Sequence, residues 1–500
     1  MARRGGMRAW GAAAALTSCL MVLVPGAGAG ASTGRVEGTG NDGSTVPSPV
    51  CRPRTEPVAS GPATLMSEQT IAGTGGRGLD ITLYSPAMDG PEHVDVLLPR
   101  HYDGSGTTRY PVLYLLHGAG GSYQDWIDHG VEADIDYTSV ADHVGPFITV
   151  MPDGGAWGFY SNWYGTDLQS GPGAQAPAWE TFHIDELIPW IDAHFPVISS
   201  RSGRAIAGLS MGGFGAMSYA AQYPDLFAAA GSFSGVTDID LDYPAGNEAL
   251  SLLSAYFVHG LPDQCIWGDP LTQGVRWHGA DPTYLAGNLA QTSLFVASGN
   301  GKPGPYDTPG TTSTETDGAV ESLIYALNQG FTAALSADGI PYTGYFYGPG
   351  THSWGYWLRD LAHFLPQMWG VFSAPDAASG RLPFDFSSVD TTFGIHGYTF
   401  AVDHTAEAFT YVRGVGANGF TAVGTGTLSV TTPPLYAAGQ SYLVRAGSSR
   451  RTVRAGAGGQ LSFSVDLGPP SPVQQTDFDG SDPNGYPDLH VSIAPVAAPA

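Results

Sequence analysis

An α/β fold with a mostly parallel sheet, followed by a small C-terminal all-β sandwich domain, is the architecture that the sequence predicts. Up to residue 372, short apolar runs alternate with stretches of helical spacing, which is the pattern of parallel strands joined by crossover helices. Beyond residue 383 the spacing changes to period two with glycine-rich turns, as in antiparallel sheets. The composition agrees, because 70 glycines among 500 residues and only 13% charged residues favour tight turns over a helical bundle.

The elements of the α/β region can be placed in chain order from these spacings. Run 93–99 alternates like a strand, whereas 110–118 and 146–154 are continuous aliphatic runs, typical of strands buried on both faces. The predicted strands are 93–99, 110–118, 146–154, 204–210, 293–301 and 342–350, and the predicted helices are 179–195 and 319–339. In the C-terminal region, alternating runs predict strands at 398–404, 408–414, 426–432, 440–447 and 460–468.

The N-terminal segment 1–31 has the features of a signal peptide. Arginines at positions 3, 4 and 8 precede an apolar core at 12–24, and small residues follow at 25–32. The apolar core is too short for a membrane anchor, so we expect a secreted protein or one of the extracytoplasmic cell envelope. Two other interpretations stay open, namely lipoprotein processing at Cys19 and the twin-arginine export route.

Shifts in composition divide the rest of the chain. Residues 32–64 are rich in glycine, serine, threonine and proline and predict a flexible leader. We expect an α/β catalytic domain at 65–372, a linker at 373–383 and a β-sandwich accessory domain at 384–496.

The cysteines indicate the redox compartment of the protein, and the net charge indicates which partners are disfavoured. Beyond the signal only Cys51 and Cys265 remain, and in an oxidising compartment they could form a disulfide that ties the leader to the α/β domain. The net charge of −25 disfavours DNA or RNA as a partner.

Residues 208–212, Gly-Leu-Ser-Met-Gly, place a serine between two glycines, after an apolar strand and before a helical stretch. This is the context of a nucleophile elbow, in which the strained serine backbone requires small neighbours. The Ser210 hydroxyl would project above the sheet at a helix N-terminus, whose dipole favours developing negative charge. We therefore predict that Ser210 is a nucleophile.

A nucleophilic serine needs a general base and an acid that orients the base. His352 follows the last predicted strand of the α/β region, where loops converge, and is the predicted base. The acid should lie between Ser210 and His352, and chemistry alone does not select it. The candidates are Asp307, in the commonest place for such an acid, Glu321 as its rival, and the weaker Asp281 and Asp317.

An oxyanion hole is also required, because two backbone N–H groups aimed at the developing negative charge typically contribute a few kcal/mol. The N–H of Met211, next to the nucleophile, is one predicted donor. The other should come from the glycine-rich loop that ends run 112–121, where we select Ala119.

Several short motifs, in order along residues 65–370, make the chain resemble the esterase D superfamily of α/β-hydrolases, and within it the secreted mycolyltransferases of the antigen 85 type. They are YLLHGAGG, FYSNWYG, WETFHIDELIPWI, IAGLSMGGFGAM, IWGDP, GNGKP and GTHSWGYW. The resemblance implies Glu321 as the acid, because the family's acid lies ten residues before a phenylalanine, here Phe331. It likewise implies Ala119 and Met211 as oxyanion donors and places Trp354 at the acyl or sugar site. No cofactor and no metal are predicted.

The chain departs from the mycolyltransferases in the oxyanion loop. Those enzymes hold trehalose with an aspartate before the loop glycine and an arginine two positions after it, and here these positions are His117 and Gly120. His117, Gly120 and Trp354 are therefore predicted to line the substrate site, while the loss of the sugar-binding pair argues against trehalose specificity.

Three functions follow as hypotheses. The first is an exported serine ester hydrolase whose substrates include lipid or glycolipid esters. The second is an acyltransferase that moves the acyl group to a sugar or glycerol hydroxyl, and the third is a non-catalytic wall-binding protein.

The C-terminal domain is expected to bind a polymer or cell-wall surface, or to pack on the catalytic domain. Its aromatic residues, such as Tyr398, Phe400, Phe409 and Tyr411, are predicted to be core. Residues 477–488 alternate carboxylates as calcium loops do but lack the full pattern, so an acidic turn is predicted there.

Overall fold

The computed structural model describes residues 51–137, 144–167, 173–239, 264–374, 382–472, 474 and 486–496. The predicted signal peptide, most of the linker at 373–383 and most of the acidic stretch at 477–488 lie outside these residues. In the part of the chain that is described, no helix is both long and apolar enough to cross a membrane.

All six strands that the spacing predicts in the α/β region are present, with ends shifted by a few residues. The described strands of this region are β1 (Cys51–Pro53), β2 (Thr64–Thr70), β3 (Gly78–Ser85), β4 (Gly90–Leu97), β5 (Val112–Leu116), β6 (Ile148–Pro152), β7 (Gly165–Asp167), β8 (Arg204–Leu209), β9 (Ala229–Phe233), β10 (Ser293–Gly299) and β11 (Tyr342–Gly348). Nine of them form one sheet in the order β11-β10-β9-β8-β5-β6-β4-β3-β2. The strands from β11 to β6 run parallel, and β4, β3 and β2 continue the sheet as antiparallel strands.

Helices cover both faces of this sheet. The described helices are α1 (Asp125–Asp128), α2 (Val131–Tyr137), α3 (Trp179–Thr181), α4 (Ile188–His194), α5 (Met211–Gln222), α6 (Gln264–Trp267), α7 (Pro270–Ala280), α8 (Thr312–Ala337) and α9 (Trp354–Phe372). A π-helical segment, Phe182–Leu187, joins α3 to α4, so the predicted helix 179–195 is one helical stretch. Single 3-10 turns occur at Arg201–Gly203 and Ala286–Leu289.

Strand β5 shows why its sequence is continuously apolar. Val112, Tyr114 and Leu116 belong to the core that includes residues of α8, whereas Leu113 and Leu115 belong to the core on the opposite face, with residues of α9. A central parallel strand has two buried faces, so no polar alternation remains in its sequence.

The predicted leader requires a correction between residues 51 and 64. Strand β1 pairs antiparallel with β7, and the Arg54 guanidinium donates hydrogen bonds to the carbonyl oxygens of Ala176 at 2.6 Å and Pro177 at 3.0 Å. Cys51 forms a disulfide with Cys265, the pairing that the sequence left open. This segment is therefore fixed to the α/β region rather than flexible.

The C-terminal region is all-β and consists, in its described part, of two antiparallel sheets. Its strands are β12 (Phe384–Ser388), β13 (Thr392–Ile395), β14 (Tyr398–Val402), β15 (Thr410–Gly416), β16 (Gly419–Val423), β17 (Thr427–Thr431), β18 (Ser441–Ala446), β19 (Ser449–Arg454), β20 (Ser462–Asp466) and β21 (Leu489–Pro495). The sheets have the orders β12-β15-β16-β21-β18-β19 and β13-β14-β17-β20. Apolar side chains of both sheets, among them Phe386 and Phe400, share one core.

The aromatic residues predicted as core divide between two places. Tyr398 and Phe400 lie in the core of the β region. Phe409 is buried against the α/β core instead, and Tyr411 packs beside it. The Tyr411 hydroxyl lies 2.9 Å from that of Tyr284, so these two aromatic residues belong to the contact between the two regions.

Candidate active site

Ser210 lies at the turn from strand β8 into helix α5. Its φ is +52°, a conformation that is costly for a residue with a side chain. A Cβ on Gly208 would lie 2.4 Å from the Gly212 carbonyl oxygen, and one on Gly212 would lie 2.5 Å from the Leu116 carbonyl oxygen. Only glycines fit at these two positions, and the tight packing holds the serine at the amino end of α5.

The carboxyl ends of neighbouring parallel strands converge around this turn. His352 follows β11, three strands away from β8 in the sheet, and its Nε2 lies 2.9 Å from Ser210 Oγ. The imidazole packs edge-on against Trp357, with a centroid distance of 4.9 Å, and His352 is 8% exposed. A buried imidazole in contact with the hydroxyl can accept its proton.

Glu321 lies on the other side of the His352 ring. Its Oε2 is 2.7 Å from His352 Nδ1, and the residue is fully buried, at 0% exposure. Its Oε1 accepts hydrogen bonds from the Ser234 hydroxyl at 2.8 Å, the Ser298 hydroxyl at 2.9 Å and the Gly299 N–H at 2.7 Å. These donors supply the hydrogen bonds that a carboxylate buried away from water requires. Because they hold Oε1 in place, they also orient Oε2 toward the imidazole.

Asp307, the rival acid, forms its hydrogen bonds elsewhere. Its Oδ1 accepts from the Thr351 hydroxyl at 2.5 Å and its Oδ2 from the Tyr356 hydroxyl at 2.6 Å. The geometry therefore favours Glu321 as the partner of His352, and Asp307 holds the residue that immediately precedes this histidine.

The two backbone segments that are predicted to supply the oxyanion donors adjoin Ser210. Met211 is the first residue of α5, so its N–H has no acceptor within the helix. The loop after β5 lies directly against the elbow, because a Cβ on Gly118 would be 2.5 Å from Leu209 Cδ1 and 3.4 Å from Ser210 Cβ. Ala119 is the next residue of this loop.

His117 does not line the site as predicted. It is 1% exposed, and both ring nitrogens are engaged with backbone: Nδ1 lies 2.8 Å from the Gly118 carbonyl oxygen, and Nε2 accepts from the Gly154 N–H at 2.9 Å. The prediction of substrate contact for this residue is corrected, since its side chain fixes the loop after β5. The C=O and N–H of a trans peptide point in opposite directions, so this contact turns the Ala119 N–H away from the ring.

The two other residues predicted at the substrate site are accessible. Gly120 is exposed, has a φ of +76°, and donates its N–H to the Ala156 carbonyl oxygen at 2.7 Å. Trp354 is half-buried at the start of α9, stacked on the His129 ring with a centroid distance of 3.8 Å and edge-on to Trp126 at 5.1 Å. Trp354 is also edge-on to Trp357 at 5.4 Å, and Trp357 in turn contacts the His352 ring.

Comparison with known proteins classifies the chain. A family model named Esterase matches residues 85–368, which include Ser210, Glu321 and His352. The chain belongs to this esterase family. The resemblance to the esterase D superfamily and its antigen 85 branch is confirmed.

Two curated relatives illustrate this esterase branch. The chain is 37% identical over 261 residues to esterase Rv1288 of Mycobacterium tuberculosis (strain ATCC 25618 / H37Rv), covering 52% of this chain and 52% of that protein. It is 32% identical over 275 residues to the diacylglycerol acyltransferase/mycolyltransferase Ag85B of Mycobacterium leprae (strain TN), covering 54% of this chain and 79% of that protein. The chain therefore spans about half the length of the first relative.

Among solved structures, the crystal structure of Mycobacterium tuberculosis MPT51 is similar to the chain. The identity is 24%, the match covers 61% of this chain and 99% of that chain, and the TM-score is 0.47.

Several residues that support the esterase site were not identified from the sequence. Ser234 and Ser298 hold Glu321, and their only signal is that each stands near the end of an apolar strand run. Tyr160, whose hydroxyl donates to the His117 carbonyl oxygen at 2.9 Å, stands in the FYSNWYG motif with a φ of +47°. Within the described residues, no group of three or more histidine, cysteine or acidic side chains is arranged to hold a metal ion.

Proposed function

We propose that this chain is an exported serine ester hydrolase in which Ser210, His352 and Glu321 act as the catalytic triad. The observation that carries the proposal is the hydrogen-bonded series from Ser210 Oγ to His352 Nε2, at 2.9 Å, and from His352 Nδ1 to Glu321 Oε2, at 2.7 Å. Membership of an esterase family supports an ester as the substrate.

The first half of the reaction forms an acyl-enzyme. Ser210 Oγ attacks the ester carbonyl carbon while His352 Nε2 takes the hydroxyl proton, and the carbonyl electron pair moves to oxygen. The N–H groups of Met211 and Ala119 donate to this oxyanion. Glu321 keeps the proton on Nδ1 and stabilises the imidazolium. When the intermediate collapses, the alcohol leaves with the proton from Nε2.

The second half repeats these steps with water as the nucleophile. His352 Nε2 takes a proton from water, whose oxygen attacks the acyl carbon. Collapse of the second oxyanion releases the carboxylic acid and returns the proton to Ser210 Oγ. Trp354, which packs against Trp357 beside His352, would contact the acyl chain or the alcohol.

Acyl transfer to a sugar or glycerol hydroxyl is the second candidate, because one relative, at 32% identity, is named as an acyltransferase. Two features favour hydrolysis. The relative named as an esterase has the higher identity, 37%. At the two oxyanion-loop positions that distinguish the mycolyltransferases, the His117 ring is buried and Gly120 has no side chain, so neither offers a polar group to a sugar.

Export is supported by the Cys51–Cys265 disulfide, since such bonds persist in oxidising compartments. Together with the N-terminal signal predicted from the sequence, the disulfide supports a location outside the cytoplasm, either secreted or in the cell envelope.

A panel of nitrophenyl esters, from acetate to palmitate, tests the hydrolase proposal. We expect turnover that Ser210→Ala lowers by about a thousandfold or more, while the matched control Ser202→Ala, at a serine remote from the elbow, retains it. A fluorophosphonate probe should label the native enzyme and not Ser210→Ala. No turnover together with no labelling would instead support the non-catalytic wall-binding protein.

Product analysis separates hydrolysis from transfer. The same esters are incubated with and without glycerol or trehalose, and the products are identified by mass spectrometry. Free acid as the main product in both cases supports the hydrolase, whereas an acylated polyol in excess of free acid supports the transferase.

A further inference from the structure

The C-terminal all-β region carries a positively charged surface in an acidic chain. The whole chain has a net charge of −25, yet between Glu407 and Asp466 it contains no acidic residue. The arginines of this stretch are Arg413, Arg445, Arg450, Arg451 and Arg454. The net charge of the whole chain, which predicts repulsion of polyanions, therefore does not describe this surface.

Strand register places most of these arginines on one face of the six-stranded sheet. Tyr442 and Val444 of β18 point into the core, so the exposed Arg445, which follows Val444, projects from the opposite face. Arg445 lies directly across from Arg450 on β19, the edge strand. Arg413 lies across from Thr421, which in turn lies across from His490. We call this surface the arginine face; it comprises Arg413, Thr421, Arg445, Arg450, Arg454, His490 and Ser492.

Arg445 and Arg450 form an unfavourable pair in the isolated protein. Like charges directly opposite each other on neighbouring strands destabilise a sheet. Both arginines are exposed, and no described acidic side chain forms an ion pair with either of them. An anionic ligand would relieve this repulsion.

A groove of about 870 Å³ lies along the arginine face. Its lining includes Arg413, Arg445, Asn418, Thr421, His490 and Ser492. Arg413 forms an ion pair with Asp488 at 3.6 Å, in which both side chains stay nearly half exposed, at 44% and 47%. The groove therefore combines guanidinium groups with amide, hydroxyl and imidazole groups, and with the carboxylate of Asp488.

Strands β18 and β19 of the arginine face lie at the far edge of the six-stranded sheet from the contact with the α/β region. Strand β12, at the opposite edge of the same sheet, makes that contact: the Asn288 amide donates to the Ser387 carbonyl oxygen at 2.8 Å. A large ligand could thus lie on β18 and β19 without displacing the catalytic region.

We propose that the arginine face binds an acidic polysaccharide. Guanidinium groups recognise carboxylates and phosphates through paired hydrogen bonds. Arg413 and Arg445 stand three strands apart, roughly 14 Å at the usual strand spacing, so one ligand reaches both only if anionic groups repeat along a chain. Thr421, Asn418 and Ser492 would bind the hydroxyls of the sugar units between them.

The composition of the groove favours a polysaccharide over two other polyanions. Single-stranded nucleic acid is usually held by aromatic side chains that stack on bases, and Phe420, the aromatic residue in this lining, is 5% exposed. Binding to an anionic membrane would be favoured by apolar side chains that insert into the lipid, whereas the strands at the edge of this face expose arginine, serine and threonine.

The test measures fluorescence anisotropy of a labelled polygalacturonate oligomer with the full chain. We expect binding that weakens as NaCl increases and that Arg445→Gln/Arg450→Gln reduces by about tenfold or more. The matched control, Arg52→Gln/Arg109→Gln, removes two exposed arginines of the α/β region and should leave binding unchanged. All variants should hydrolyse small esters equally, so this test and that of the proposed function can fail independently.

Several outcomes would overturn the proposal. An equal loss of binding in the control variant would show a general charge effect. Absence of binding at low salt would show that the arginine face does not bind an acidic polysaccharide. Equal or tighter binding of neutral dextran, duplex DNA or phosphatidylglycerol vesicles would exclude an acidic polysaccharide as the preferred ligand.

Discussion

Replacing Glu321 by glutamine is the sharpest perturbation of the candidate triad, because it changes one atom and one charge. The carboxylate oxygen Oε1 receives hydrogen bonds from the backbone N–H of Gly299 and from two serine hydroxyls. A backbone N–H can only donate, so the glutamine oxygen must occupy this position. Its NH₂ group then takes the place of Oε2, 2.7 Å from His352 Nδ1 in the native chain.

The magnitude follows from this forced orientation. Facing an NH₂ donor, Nδ1 must accept a hydrogen bond, and the imidazole proton moves to Nε2, which can no longer take the proton of Ser210. The wrong tautomer in a serine–histidine–acid triad lowers kcat by about ten-thousandfold, or about 5 kcal/mol. No reduction for solvent screening applies, since Glu321 is 0% exposed.

The assay compares kcat on a nitrophenyl ester for the wild type, Glu321→Gln and Asp307→Asn. Asp307 hydrogen-bonds Thr351 and Tyr356, so its substitution perturbs the loop before His352 and should lower kcat by about tenfold at most. Thermal unfolding of each variant controls for misfolding. The reasoning is refuted if Glu321→Gln keeps near-native kcat, or if Asp307→Asn loses more activity than Glu321→Gln.

Three further predictions concern residues outside the candidate triad. Tyr160→Phe removes the hydroxyl that donates to His117 O at 2.9 Å, so kcat should fall about tenfold with little change in KM; unchanged kcat would show that the oxyanion loop needs no such tether. Replacing Cys51 and Cys265 by alanine removes a disulfide that joins residues 214 positions apart in the chain. The free energy of unfolding, measured by urea denaturation, should fall by about 2–5 kcal/mol. Burial lowers the pKa of His183 to about 4, so the stability from its neutral form is complete above about pH 6.5 and falls by about 3 kcal/mol as the pH decreases toward 4. His183→Gln should show a shallower loss of thermal stability over that range, and an identical slope would contradict the assignment.

The backbone of the α/β region was predictable because its strands are buried on both faces. Leu113 and Leu115 face one core while Val112 and Tyr114 face the other, so the run is apolar throughout and can be recognised in the sequence. The elbow was predictable for a related reason, since packing against Leu116 leaves no room for a side chain at Gly212.

Contacts between distant segments were not predictable in the same way. The sequence gives no sign that the His117 ring turns inward, because the partner of its Nε2 is a backbone N–H, that of Gly154, and any residue could supply it. The same holds for Cys51: a glycine- and proline-rich segment resembles a flexible leader until its strand partner β7 and the disulfide to Cys265 are known. Phe409 alternates like a core residue of the β region, yet it is buried against the α/β region.

The choice between the two candidate acids shows where sequence reasoning ends and three-dimensional packing decides. Asp307 is nearer in the chain to strand β10, which is why position alone favours it, but its carboxylate is engaged by Thr351 and Tyr356. Glu321 reaches the imidazole from helix α8 with Oε2. Its other oxygen, Oε1, is held by hydrogen bonds from Ser298 and Gly299 at the end of β10. Both carboxylates therefore act on the same histidine, one on its ring and one on the residue before it. Their substitutions should consequently be non-additive, since a histidine already in the wrong tautomer loses little more when its loop is loosened.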